Sequence, residues 1–237
     1  QLRLLEDNNA LRDTLAATNI PQREYVTLPA ADGTTQLNGW ILKPVDFNPA
    51  KKYPVVMIQY SGPNSQEVQD RFNVSWYHAL LREGFVVAAV DGRGTAARGV
   101  AFRKGTYLQL GIQESDDQVA AARYLGRLPY VDGSRIGIWG WSYGGYNVLM
   151  SMSRGSGAFK AGVAIAPVTN WRFYDTVYTE RFMRTPGQNH EGYENGSPMA
   201  LADQLEGRLL LIHGTSDDNV HLQNSIEYSR ALIRANK

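Results

Sequence analysis

Residues 136–146 read Ile136-Gly137-Ile138-Trp139-Gly140-Trp141-Ser142-Tyr143-Gly144-Gly145-Tyr146, and this stretch decides the fold. Ile136–Trp139 is a short apolar run of the kind that forms a buried strand, Gly140–Gly145 is a turn, and a helix is expected from about Tyr146. A strand that turns through Gly-x-Ser-x-Gly directly into a helix lifts its serine onto a sharp bend at the sheet's C-terminal edge. Gly140 and Gly144 omit Cβ atoms that so tight a bend would drive into collision. The helix start then offers free N–H groups and the positive dipole end to a developing oxyanion. The five-residue pattern alone occurs in many loops; the order strand, turn, helix makes Ser142 a candidate nucleophile.

The flanking chain repeats the same alternation. Apolar runs at Pro54–Tyr60, Phe85–Val90, Ala161–Ala166 and Leu209–His213 are continuous, as parallel strands buried on both faces require. Helical stretches lie between them, at Trp76–Glu83, from about Glu114 to Leu128, after the serine, and over Leu222–Ala235. Before Pro44, Tyr25–Leu28 and Leu37–Leu42 flank Asp32-Gly33 and predict an antiparallel hairpin. A short helix is expected over Ala10–Ala17. Residues 171–205 are aromatic and polar and read as an insertion over the sheet. Together these predict an α/β-hydrolase fold, a mostly parallel sheet with helices on both faces.

Such a fold supplies its triad in the order serine, acid, histidine. Leu209–His213 is the later strand, and Gly214-Thr215-Ser216-Asp217-Asp218-Asn219-Val220 is its loop, so Asp217 and Asp218 are the candidate acids, one of them also a candidate cap for the next helix. None of the chain's 4 histidines suits the base. His78 is far upstream, His190 lies in the insertion, His213 ends a buried strand and reads as structural, and His221 shares the short loop of the acid. The general base is expected outside these residues.

At 237 residues the chain suffices for one large α/β domain, and 43% hydrophobic with 20% charged residues is ordinary for a globular protein. A net charge of +1 gives no footprint for nucleic acid, and no apolar run approaches the roughly 18 residues of a membrane span. With 0 cysteines, disulfides and thiolate metal sites are excluded while the compartment stays open. The start at Gln1-Leu2-Arg3, without Met and without a signal peptide, suggests a piece of something longer.

Several strings together carry a family likeness: Gln59-Tyr60-Ser61-Gly62-Pro63, Asp91-Gly92-Arg93-Gly94, the serine stretch itself, Tyr174-Asp175-Thr176-Val177-Tyr178-Thr179-Glu180-Arg181, and His213 through His221. Over essentially its whole length the chain resembles the prolyl oligopeptidase family of serine peptidases. The Trp141 and Tyr143 flanks and the Tyr-Asp-x-Val-Tyr-Thr-Glu-Arg string resemble its dipeptide-releasing branch. The resemblance implies a serine peptidase that removes N-terminal Xaa-Pro or Xaa-Ala dipeptides through an acyl-enzyme on Ser142. It implies Asp217 as the residue orienting a histidine beyond Lys237, with no cofactor. It also implies that residues 1–24 lead in from an N-terminal β-propeller, whose glutamate pair grips the substrate amine. Residues 25–237 would then form a catalytic domain lacking its last strand and helix, and this piece alone would be inactive. The parent is expected to be a homodimer in the periplasm, at the cell surface or secreted.

Tyr60 ends its apolar run where lipase-like relatives carry glycines. Its phenol is expected to join the Tyr143 backbone N–H in holding the oxyanion. By the same resemblance Tyr143, Val168, Trp171, Tyr174, Tyr178 and Val220 box the residue before the scissile bond, and Asn219 bonds the preceding carbonyl. A proline ring suits such a box, being compact, apolar and without an N–H to leave unpaired. From spacing alone these aromatics could equally be core. Gly92-Arg93-Gly94 with Gly99 is out of register for a dinucleotide loop. Glu114, Asp116 and Asp117 read as hydrated helix-start carboxylates, so no metal is expected. The sequons at Asn73 and Asn195 carry no weight. A general esterase of the same fold is the rival reading, against which Gln59-Tyr60 and the tyrosine box speak; a non-catalytic binder would not keep both Ser142 and Asp217.

Overall fold

The computed structural model describes residues 3–237; Gln1 and Leu2 of the lead-in segment lie outside them. Seven strands form one sheet: β1 (Glu24–Pro29), β2 (Gln36–Leu42), β3 (Tyr53–Ile58), β4 (Val86–Asp91), β5 (Val131–Trp141), β6 (Ala161–Ile165) and β7 (Arg208–Ile212). Their order is β1-β2-β4-β3-β5-β6-β7, antiparallel through β1, β2 and β4 and parallel from β4 to β7. The hairpin and every expected strand are therefore present. The chain crosses between parallel strands through α2 (His78–Arg82), α3 (Val100–Lys104) with α4 (Ile112–Leu125), and α5 (Tyr143–Arg154). A lead-in helix α1 (Asn9–Ala17), the insertion's α6 (Thr176–Met183) and α7 (His190–Asn195), and a final α8 (Gln223–Arg234) complete the set.

The continuous apolar runs are explained by two cores, one on each face of the sheet. Successive side chains of a strand point to opposite faces, and β4 shows the consequence. Val86, Ala88 and Val90 enter the core shared with α4 and α5, while Val87 and Ala89 enter the one shared with Trp40, Tyr77 and Leu81. β7 departs from the expectation of burial on both faces. Leu209 and Leu211 pack inward, but Leu210 and Ile212 are 56% and 42% exposed, because β7 is an edge strand with only one face covered among the described residues.

Three helix starts differ from the sequence reading by more than one residue, α2 opening at His78 rather than Trp76. The helix after the serine begins at Tyr143 itself, and α4 begins at Ile112 behind Gly111, whose φ of +85 a side chain would strain. The acids of α4 are not all hydrated. Asp116 is partly exposed and paired with Arg154, whereas Glu114 and Asp117 face inward and are fully buried. Asp117 is balanced by Arg93, which donates from its Nε and Nη2, and by the N–H groups of Ala31 and Arg93.

Candidate active site

Ser142 sits between β5 and α5 with φ 60 and ψ −120, a backbone region that non-glycine residues avoid. Such a conformation costs on the order of 1–3 kcal/mol and persists only where the surroundings enforce it. Here they do. Ser142 N donates to Ile165 O of β6 at 2.8 Å, and Tyr146 N donates to Ser142 O at 3.0 Å, starting α5. A Cβ on Gly144 would stand 2.6 Å from Gln59 O, and one on Gly140 would meet the Gly144 carbonyl, so both glycines of the motif allow close approach of backbone.

Beneath the turn lies a buried polar network that the sequence reading missed. Gln59 Nε2 donates to Gly144 O at 2.8 Å, and its Oε1 accepts from Asn147 of α5 and from Ser61 Oγ. Gln118 of α4 donates to Ser61 Oγ and to Val90 O. All four side chains are buried, so β3, β4, α4 and α5 are tied together under the serine by bonds that water does not compete for. Polar residues at a strand end and on a helix's inward face were the available signal.

Tyr60 lies just past β3, which ends at Ile58, and is 39% exposed. Its ring centroid is 6.0 Å from that of Tyr143, and Ser61 after it holds φ 62. Tyr143 opens α5, where first-turn N–H groups have no acceptor within the helix. Tyr60 thus stands against the residue that directly follows Ser142, and its Cα lies 3.2 Å from where a Cβ on Gly144 would stand.

The aromatic insertion closes over the same edge. Tyr143, Val168, Trp171 and Val220 are buried in one apolar cluster, against which Tyr174, Tyr178 and Phe182 pack half-buried. Trp171 stacks on Tyr178 at 6.0 Å and meets Tyr174 edge-on at 6.2 Å, while Tyr174 and Tyr178 stand at 84° to one another. Tyr174 O–H donates to Asn219 Oδ1 at 2.8 Å, joining the box to the loop after β7. All six expected box residues and Asn219 are thereby brought together. Burial pushes the Tyr178 phenol further above its ordinary value, disfavouring the phenolate in the cluster.

Asp217 is held by its own loop: Oδ1 accepts from Asn219 N at 3.1 Å and Val220 N at 3.0 Å. It does not cap α8, whose N-cap is Leu222 without a side-chain bond; the turn of residues 217–220 draws the carboxylate back from the helix. Asp218 is exposed. His213 contacts Ser225 Oγ through Nδ1 and donates from Nε2 to Val220 O, each at 2.6 Å, with Asp217 Oδ2 at 3.6 Å. Both ring nitrogens are occupied, the pattern of a histidine that staples the loop to α8. His190 is 77% exposed, His221 is exposed, and His78 engages Ser75. Among the described residues no group of acids and histidines is disposed to hold a metal ion.

Residues 72–237 match the model of the prolyl oligopeptidase family. Prolyl endopeptidase FAP of Homo sapiens is 42% identical over 239 residues, covering 99% of this chain and 31% of that protein. Probable dipeptidyl-aminopeptidase B of Emericella nidulans is 46% identical over 228 residues, covering 95% of this chain and 25% of that protein. The crystal structure of Porphyromonas gingivalis dipeptidyl peptidase 4 superposes with a TM-score of 0.95 at 58% identity, covering 99% of this chain and 33% of that one. The chain thus spans about a third or less of the length of these relatives. With the serine elbow, the sheet order and these matches in hand, the chain belongs to the prolyl oligopeptidase family and has its α/β-hydrolase fold.

Proposed function

We propose that this chain carries the nucleophile, oxyanion donors and specificity box of a serine dipeptidyl peptidase. The carrying observation is the enforced backbone of Ser142 at the start of α5, directly followed by Tyr143, whose ring meets Tyr60 and joins the aromatic cluster. The dipeptidyl peptidase names of the relatives favour the same reading. In this mechanism Ser142 Oγ attacks the carbonyl of the second substrate residue while its proton passes to a histidine. The oxyanion accepts from Tyr60 O–H and Tyr143 N–H, and the histidine then protonates the departing amine, leaving the acyl-enzyme for water. Asp217 orients that histidine. Because His213 is occupied on both nitrogens, we place the base outside residues 3–237.

Tyr143, Val168, Trp171, Tyr174, Tyr178 and Val220 would enclose a proline or alanine side chain. The Tyr174 bond occupies Asn219 Oδ1 and leaves its Nδ2 as the donor for the preceding carbonyl. We also place a β-propeller ahead of residue 25 and a homodimer contact near α8, which exposes Ile226 and Ile233. The family resemblance supports both, and sedimentation of the complete protein tests the second. The test of the activity is product analysis with a Gly-Pro-capped peptide and the complete protein. Release of Gly-Pro, lost in Ser142→Ala, is expected; cleavage that ignores a blocked amino terminus would reject dipeptide release.

A further inference from the structure

We propose that Glu114 is a positioning residue for the reaction at Ser142, holding Tyr143 in place from the far end of its phenol. This rests on the role given to Tyr143 above. Glu114 lies in the first turn of α4, and its Oε2 accepts from Gly111 N at 3.0 Å, the return half of a capping box. That role needs one oxygen. The other, Oε1, accepts from Tyr143 O–H at 2.7 Å, from a residue 29 positions later on a different helix. Glu114 is fully buried, and among the described residues it has no cationic partner.

A carboxylate buried without a cation is costly, so a helix cap alone does not account for it. The groups facing it sharpen the point. Tyr143 and Tyr146 come from α5, Tyr178 from α6 and Asp117 from its own helix, none of them a positive charge. Burial lifts the carboxyl to about 7 despite the bonds it accepts. What only a carboxylate provides is a pair of acceptor oxygens for two donors at once; an amide offers one oxygen and an NH₂ that cannot accept.

Tyr143 is where that arrangement acts. Its ring is wedged between Tyr60 at 6.0 Å, Tyr146 at 5.2 Å and Trp171 at 5.7 Å. One end of the residue is the backbone N–H next to Ser142, the middle is a wall of the box, and the free end is the hydroxyl that Glu114 grips. Fixing the hydroxyl fixes the ring's tilt, and through Cβ the direction of the N–H. A displacement of about 1 Å at such a site is worth on the order of 10²-fold in rate.

The experiment compares Glu114→Gln, Tyr143→Phe and the double variant in the complete protein. Two readouts are taken: the rate at which a fluorophosphonate labels Ser142, and kcat and KM for a Gly-Pro chromogenic amide. Each single variant is expected to lower labelling and kcat by about 10-fold or more, with KM changing less, and the double variant to be no worse than the poorer single, as one shared interaction requires. Losses that multiply in the double variant, or a Tyr143→Phe enzyme that behaves as wild type, would overturn the proposal. Should Glu114→Gln not fold, Tyr143→Phe, which keeps the ring and the helix cap, decides alone. If wild type is labelled but releases no Gly-Pro, the substrate reading fails while labelling still tests the tether.

Discussion

β4 and β7 carry runs of similar character, Val86-Val87-Ala88-Ala89-Val90 and Leu209-Leu210-Leu211-Ile212, yet all of β4 is buried and alternate residues of β7 face solvent. An apolar run thus reports membership of the sheet, while the number of covered faces depends on what packs beside it. The site divides along the same line. Ser142, Tyr60 and Tyr143 stand over the covered centre, fixed by the network of Gln59, Asn147 and Gln118. Asp217 stands on the loop after the edge strand, fixed by local backbone bonds, while His213 holds the same loop through Val220 O. In the proposed mechanism the nucleophile half lies within these residues. The relay half contributes its acid, while His213 beside that acid is occupied on both ring nitrogens.

The largest expected effect follows from that asymmetry. Residues 1–237 alone should hydrolyse a Gly-Pro amide on the order of 10⁶-fold more slowly than the complete protein, since triad members act as a unit. Comparable turnover would mean that His213 or His221 leaves its present contacts and serves as base. Next in size is Met57→Ala in β3, fully buried at the sheet centre. Urea titration should show a loss of about 2–5 kcal/mol, as for other large-to-small core changes.

The buried carboxyl of α4 predicts a pH effect of known sign. Glu114 titrates at about 7 folded against 4.5 unfolded, so the folded state binds the proton more tightly. Its contribution to stability is fully present below about 4.5 and is lost as pH rises through 7. Asp91 and Glu67 are also raised by burial and slope the same way, so the difference between wild type and Glu114→Gln isolates the group. The variant's denaturation midpoint should fall less between about pH 5 and pH 8, a window set by the same shift. An unchanged slope would place the Glu114 pKa elsewhere.

Tyr174→Ala should lower kcat/KM for a proline-containing substrate by about 1–3 kcal/mol of transition-state binding, as other apolar pocket losses do. Unaltered kinetics would assign the proline box to other residues. The smallest effect belongs to the edge. Leu210→Ala, at a position 56% exposed, should change stability by about 0.5 kcal/mol or less in residues 1–237. A loss matching that of Met57→Ala would erase the distinction between centre and edge.

Much of this was legible in the sequence because it rests on local chemistry. Gly140 and Gly144 around Ser142 announce a bend that only glycines allow, and the apolar runs announce their strands. The family strings single out the aromatic residues that the structure gathers into one cluster, while the roles of Tyr60, Asp217 and that cluster belong to the proposed mechanism. What was not legible depends on contacts between distant residues. Glu114 and Asp117 look like solvated helix-start acids until α5 and Arg93 are seen against them. The ladder under the serine joins residues as far apart as Gln59 and Asn147, 88 positions, so the polar residues at the strand end and on the inward helix faces do not by themselves say which of them pair. The uncovered face of β7 is likewise a property of its neighbours rather than of its residues.

The central claim is that Ser142 performs covalent catalysis in the release of dipeptides. Its most direct test is intact-mass and peptide mapping of the complete protein quenched during turnover of a Gly-Pro ester. A Gly-Pro adduct on the peptide bearing Ser142, absent from Ser142→Ala along with activity, is the predicted result. Turnover that survives Ser142→Ala, or an adduct on any other residue, would contradict it.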